Sequence, residues 1–134
     1  MISSLSISSL AYVGDGLLSI RVRLYLIEQG LQQPTKLLKA SNRFVSAQSQ
    51  ALFMKYLLEH EVLTTEEIRW YKKGRNYKSR SIAKNASVIT YRIATGFEVL
   101  WGYWYYSDLH QRIDEIFELY CREVIKQYGP VHLW

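Results

Sequence analysis

The sequence predicts an all-α fold, one helical domain over residues 1–134, on three observations. Apolar residues recur at spacings of three and four in each long segment, and no run alternates apolar and polar residues over a useful strand length. Two prolines and seven glycines leave long stretches unbroken. The composition, 49% hydrophobic and 22% charged, suits a single globular unit with one core. There is no internal repeat and no linker.

Residues 4–29 read as one helix, with Leu10, Val13, Leu17, Ile20 and Leu24 as its buried stripe and Gly30 as its C-terminal stop. On it Ser8, Ala11, Asp15 and Ser19 share a face, and the small neighbours leave an open shelf around the carboxylate. Arg21 and Arg23 point to solvent. Pro34 and Thr35 start a short helix to residue 40, with proline in the first turn where its missing N–H is not needed. Ser41 or Asn42 then caps a helix over 43–59, whose apolar residues are Phe44, Ala47, Ala51, Met54, Leu57 and Leu58. The polar run 46–50 gives that helix a side for solvent or ligand.

Thr64 and Glu67 form a capping box opening a helix that runs to Lys73, and Gly74 ends it. Residues 75–84 are expected as an exposed basic loop and Asn85 as the cap of a long helix over 86–106. Ser107 and Asp108 break the chain before a last helix over 109–128, with Ile113, Ile116, Phe117, Tyr120, Val124 and Ile125 as its apolar stripe. The crowded aromatics Trp101, Tyr103, Trp104, Tyr105 and Tyr106 are assigned to packing.

The formal net charge is +5, and it is unevenly spread. From 68 to 84 there are seven basic residues, Arg69, Lys72, Lys73, Arg75, Lys78, Arg80 and Lys84, and no acid. Such a block favours a polyanion as partner. The lone Cys121 excludes an intramolecular disulfide and fits a reducing compartment. No stretch approaches the ~20 apolar residues that span a bilayer, and the N-terminus has no signal-peptide pattern. The expectation is a soluble cytoplasmic protein without membrane contact, or a stromal one in a plastid. His60, His110 and His132 stand far apart without nucleophile partners and are not assigned to catalysis.

Two acids stand out by isolation. Asp15 is the only acid before Glu28, and Glu98 is the only one between Glu67 and Asp108. A carboxylate among apolar residues is costly to bury unless something charged compensates it. Each is readable as half of one metal site. Each is also readable structurally: Asp15 paired with an arginine or capping a break near Gly14 and Gly16, Glu98 in an ion pair with a neighbouring helix.

Leu10-Ala11-Tyr12-Val13-Gly14-Asp15-Gly16 resembles the signature helix of ribonuclease III catalytic domains. Three further segments are similar to the compact Mini-III branch: Ser46-Ala47-Gln48-Ser49-Gln50-Ala51, Lys72-Lys73-Gly74-Arg75-Asn76-Tyr77-Lys78-Ser79, and the run 91–103 containing Ala94-Thr95-Gly96-Phe97-Glu98. Their order and spacing match from about residue 10 to about residue 106. The resemblance implies a ribonuclease III helical fold, homodimeric, with no appended double-stranded-RNA-binding domain. It implies an endoribonuclease that cuts double-stranded RNA with Mg²⁺ and matures the precursor of large-subunit (23S) ribosomal RNA. Asp15 and Glu98 then become catalytic residues and metal ligands, with Tyr12 and Val13 at the dimer interface.

The chain departs from ribonuclease III proper at Ala11 and Thr95, where that branch carries further carboxylates, and Mini-III thins this cluster as well. Ser19 stands where Mini-III members often carry Glu. These departures keep a second function open, a weak or inactive relative that binds structured RNA as a dimer.

Mg²⁺ takes hard oxygen ligands and often keeps several waters, so two carboxylates and a substrate phosphate suffice. Thr95, one turn before Glu98, is placed to orient a water around the ion. Lys72, Lys73, Arg75, Asn76, Lys78 and Lys84 are expected to contact RNA phosphates, reading duplex shape more than sequence. Gln48 and Ser49 are weaker RNA candidates.

Overall fold

The computed structural model describes residues 2–77 and 87–134, and among them the fold is helical without strands. In order come α1 (Ile7–Glu28), α2 (Pro34–Val45), α3 (Ala47–Glu59), α4 (Thr65–Arg75), α5 (Val88–Tyr106) and α6 (His110–Tyr128). Short 3-10 turns cover Ile2–Ser4 and Val131–Leu133. No described helix is long and apolar enough to cross a membrane.

Helix α5 is the axis of the molecule, and α1, α3, α4 and α6 all pack on it. Its sequence dictates this position. Phe97, Leu100, Trp101 and Trp104 are fully buried, and Gly96 and Gly102 beside them admit neighbouring helices closely. A helix apolar on most of its circumference is stable only when surrounded. The core around it is aromatic: Phe97 meets Phe53 and Trp101 edge-on, and Tyr120 packs on both Phe53 and Phe97. The Tyr120 hydroxyl, buried with its ring, donates to the Phe44 carbonyl at the end of α2.

Four boundaries or faces differ from the sequence expectation. The buried face of α1 is Leu10, Gly14, Leu18, Val22 and Leu26, whereas Ile20 and Leu24 are 49% and 55% exposed and Val13 and Leu17 half-buried. The helix carries two apolar faces, and the periodic stripe mixed them. The break between the second and third helices falls at Ser46, not at Ser41 or Asn42. There the backbone turns extended and the Ser46 hydroxyl accepts the Ser49 N–H, so Ser46 both ends α2 and caps α3.

Gly74 does not end α4; it lies inside the helix, buried against α5, and Asn76 is the C-cap. Arg75 accordingly belongs to a helix, not a loop. Helix α5 starts at Val88, where Ser87 accepts the Thr90 N–H; the expected cap Asn85 lies outside the described residues. Gly30 does stop α1, at φ +95°, and the Thr64–Glu67 capping box is complete.

Polar residues in the core have local reasons. Gln50 Nε2 donates to the Val45 carbonyl at 2.9 Å and Ser49 Oγ to the Arg43 carbonyl at 2.5 Å, satisfying the carbonyls left open where α2 ends. Ser49 is therefore buried structure, not a surface for RNA. Glu67 is the buried acid of the core. It accepts from Trp104 Nε1 at 2.7 Å, Arg112 Nε and Nη2 at 2.8 Å each, and the Thr64 N–H at 2.8 Å. Arg112 also reaches the Val62 carbonyl at 2.7 Å, so one ion pair ties α4, α5 and α6 together. Burial pushes the Glu67 carboxyl up, but its hydrogen bonds from Arg112, Thr64 and Trp104 outweigh that and hold it below the usual range.

Candidate active site

The crossing of α1 and α5 is closer than side chains allow, and glycine makes it possible. A Cβ on Gly14 would overlap the Glu98 carbonyl oxygen, and one on Gly102 would overlap the Leu10 carbonyl oxygen. Each glycine thus seats the other helix's backbone, at points one helical turn apart on α5. The residue after Gly14 is Asp15, and the residue whose backbone it touches is Glu98. The two isolated carboxylates are therefore brought together by the packing itself.

Asp15 is exposed and Glu98 half-buried, so the pair opens to solvent on one side. Burial, and then the hydrogen bond and charge of the adjoining Asp15 carboxyl, push the Glu98 carboxyl up to about 8. Among the described residues no lysine, arginine or histidine pairs with either acid. Two like-charged groups in contact hold a proton between them unless a cation replaces it. This donor set, hard oxygens converging with no protein counter-ion, fits Mg²⁺. No third His, Cys, Asp or Glu joins them among the described residues. The structural alternatives for these acids, an arginine partner for Asp15 and a basic partner for Glu98, are thus not found there.

The surroundings match their small residues. Ala11 precedes Asp15 by about one turn of α1 and Ser19 follows by one. Thr95 precedes Glu98 on α5 and donates its hydroxyl to the Tyr91 carbonyl at 3.0 Å. With its proton committed to the backbone, the Thr95 oxygen is an acceptor toward the site, suited to a water's hydrogen.

The basic end of α4 is brought to the same level by a second glycine contact. A Cβ on Gly74 would lie 2.7 Å from the Gly96 Cα and 2.7 Å from Val99 Cγ2, residues on either side of Glu98. Lys72 and Lys73 are exposed there, and Asn76 is exposed at the cap. Lys73 Nζ lies 4.2 Å above the Trp70 ring, and Arg75 sits over Tyr71 while its Nε donates to Asn76 Oδ1 at 3.3 Å. Lys78 and Lys84, named with them on sequence, lie outside the described residues.

Tyr12 is 83% exposed on α1, on the helix face that also carries Ile20, Leu24 and Ile27; Val13 beside it is half-buried. The aromatic run splits: Trp101 and Trp104 are core, Tyr103 stacks on Trp70, and Tyr105 is 45% exposed. Sequence reasoning missed the part played by Gly14, Gly74, Gly96 and Gly102. A glycine inside a helical apolar run is the available signal for close backbone approach.

The Ribonuclease III domain model matches residues 8–109. The Mini-ribonuclease 3 of Enterococcus faecalis is 44% identical over 116 residues, covering 87% of this chain and 88% of that protein. The Mini-ribonuclease 3 of Brevibacillus brevis is 50% identical over 107 residues, 80% of this chain and 78% of the relative. A crystal structure of a protein from Fusobacterium nucleatum superposes with a TM-score of 0.80 at 26% identity, covering 91% of this chain and 96% of that one.

Proposed function

This chain belongs to the ribonuclease III domain family, in company with the Mini-ribonuclease 3 proteins, and is an endoribonuclease; we propose that it hydrolyses double-stranded RNA with Mg²⁺ held by Asp15 and Glu98. The observation that carries this reading is the meeting of those two carboxylates, without a basic partner among the described residues, at the glycine crossing of α1 and α5. When bound, Mg²⁺ supplies Lewis-acid polarisation of the phosphodiester and a water of lowered pKa. The chain's own residues do the rest. Asp15 and Glu98 are the residues that would hold the ion. Thr95 would accept a hydrogen from a water beside them and orient it. Lys72, Lys73, Arg75 and Asn76, with Lys78 and Lys84, take phosphates on either side and hold the duplex in register.

The working unit in this reading is a homodimer. The exposed apolar stripe of α1, from Tyr12 through Ile20 and Leu24 to Ile27, is the surface such a dimer covers, with Val13 at its edge. A two-fold dimer matches the two-fold relation of the scissile phosphates on antiparallel strands. The natural substrate in this reading is the precursor of 23S ribosomal RNA, and the compartment is the cytoplasm.

The test is cleavage of a long labelled RNA duplex with and without Mg²⁺, comparing wild type with Asp15→Asn and Glu98→Gln. Metal-dependent cutting abolished in both variants supports the assignment. Equal cutting by all three refutes it. Retained duplex binding with no cutting by the wild type would favour a dimeric RNA-binding role, the reading that Ala11, Thr95 and Ser19 support.

A further inference from the structure

Between the C-terminal end of α4 and the first turns of α5 lies a pocket of about 310 Å³, lined by Tyr71, Arg75, Asn76, Ile89, Arg92 and Ile93. Its floor is apolar and its polar lining is two guanidiniums and one carboxamide. Arg75 is held by its stack on Tyr71 and its bond to Asn76, both described above, which pre-organises its guanidinium in the pocket lining. Arg92 stands on the opposite wall, exposed at the start of α5. Among the described residues neither arginine is paired with a carboxylate. Helix α6 carries four acids, Asp114, Glu115, Glu118 and Glu123, yet none lines this pocket.

Two arginines lining one pocket, without a carboxylate partner among the described residues, suit an anion. A planar fork from each side suits a tetrahedral phosphate ester, and an apolar floor suits the sugar attached to it. The pocket also has a defined relation to the carboxylates. Arg92 and Glu98 are six residues apart, about 9 Å along the axis of α5. At about 100° per residue Arg92 lies about 120° around α5 from Glu98, and Ile89 and Ile93 lie still farther round, so the pocket sits on the α4 side of the helix and not beside the carboxylates.

We propose that Arg92 and Arg75 form a subsite that clamps a backbone phosphodiester of the RNA away from the one being cut, with Arg92 as a binding residue in its own right. The proposal rests on the reading of this chain as a double-stranded ribonuclease and adds to it a place where a further phosphate of the duplex is held. In binding terms the site is a point of charge neutralisation whose loss is uniform across RNA sequences.

The test is duplex binding in EDTA, where cutting is off, as a function of salt. Wild type is compared with Arg92→Gln, Arg92→Lys and Arg122→Gln, the last an exposed arginine of α6 away from the pocket. Arg92→Gln is expected to bind roughly five- to tenfold more weakly and to lower the slope of log affinity against log salt by about one. Arg92→Lys recovers part of the affinity, and Arg122→Gln behaves as wild type. Because Arg92 is exposed and unpaired, the variants are expected to melt with the wild type. Unchanged affinity and slope in Arg92→Gln, with wild type binding normally, overturns the subsite alone. Weakened binding of inorganic phosphate without any change for the duplex assigns the pocket to a free phosphate ester and overturns it too. Failure of wild type to bind duplex at low salt overturns the ribonuclease reading and the subsite together.

Discussion

Replacing Glu98 by glutamine trades activity for stability, and the size of the trade follows from the site. The carboxyl is raised from 4.5 to about 8 by burial and by Asp15. At full value such a rise is worth about 5 kcal/mol between protonation states. Solvent reaching the open side of the pair screens it, and we expect about 2 kcal/mol to be realised. A carboxyl whose folded pKa is raised leaves the native state holding more protons than the unfolded chain between the two values. Stability therefore falls as pH climbs from about 4.5 to about 8 and stays low above that. Glutamine keeps the shape and cannot ionise. Urea unfolding in EDTA should show Glu98→Gln more stable than wild type by about 2 kcal/mol at pH 9, the gap closing near pH 5. Adding MgCl₂ at pH 8 should raise the wild type and leave the variant unchanged. Parallel stability–pH profiles for the two proteins would refute the coupling of Glu98 to Asp15.

Other substitutions probe the frame around the site. Gly14→Ala places a methyl into the Glu98 carbonyl and should cost about 2–4 kcal/mol in denaturant unfolding together with most of the activity. Gly16→Ala, with nothing near its Cβ, should be neutral or stabilise by up to about 1 kcal/mol. Arg112→Met leaves Glu67 buried without its partner and should cost about 3–5 kcal/mol at pH 7. In the wild type, the lowered carboxyl of Glu67 contributes stability above its unfolded value, lost as pH falls through the folded one; acid titration of unfolding should show that limb blunted in Arg112→Met. Thr95→Val should lower kcat about tenfold, with Thr95→Ser near wild type and both melting normally.

The helices themselves were legible because each long one carries a period, and the caps at Thr64 and Gly30 because their chemistry is local. Helix α1 shows where periodicity stops informing. Its apolar residues cover one face for α5 and another that is exposed at Tyr12, Ile20 and Leu24, and a single sequence does not mark which face meets the core. Gly74 misled for a related reason. Glycine reads as a terminator when only the chain is in view, whereas here it is the thin spot through which α4 reaches Gly96. Asp15 and Glu98 were visible as isolated acids, but their meeting depends on contacts eighty residues apart. Glu67 was read as a cap alone because its other partners, Trp104 and Arg112, come from distant helices.

Glu67 and Glu98 are the two acids held among core helices, and their environments push them in opposite directions. Glu67 is surrounded by donors: an arginine fork, an indole N–H and a backbone N–H, which together keep it ionised. Glu98 is half-buried beside another acid, and burial together with Asp15 pushes its carboxyl up to about 8. An acid retained for stability would be expected to look like Glu67, since an unpaired buried carboxylate is a cost to the fold. Glu98 carries that cost on the central helix, at a crossing that requires glycine on both sides. The fold gains nothing from placing Asp15 there as well, because the second acid worsens the first. In the proposed reading a cation between them offsets that cost, and the raised carboxyl of Glu98 is then a physical mark of function independent of the motif in which it sits.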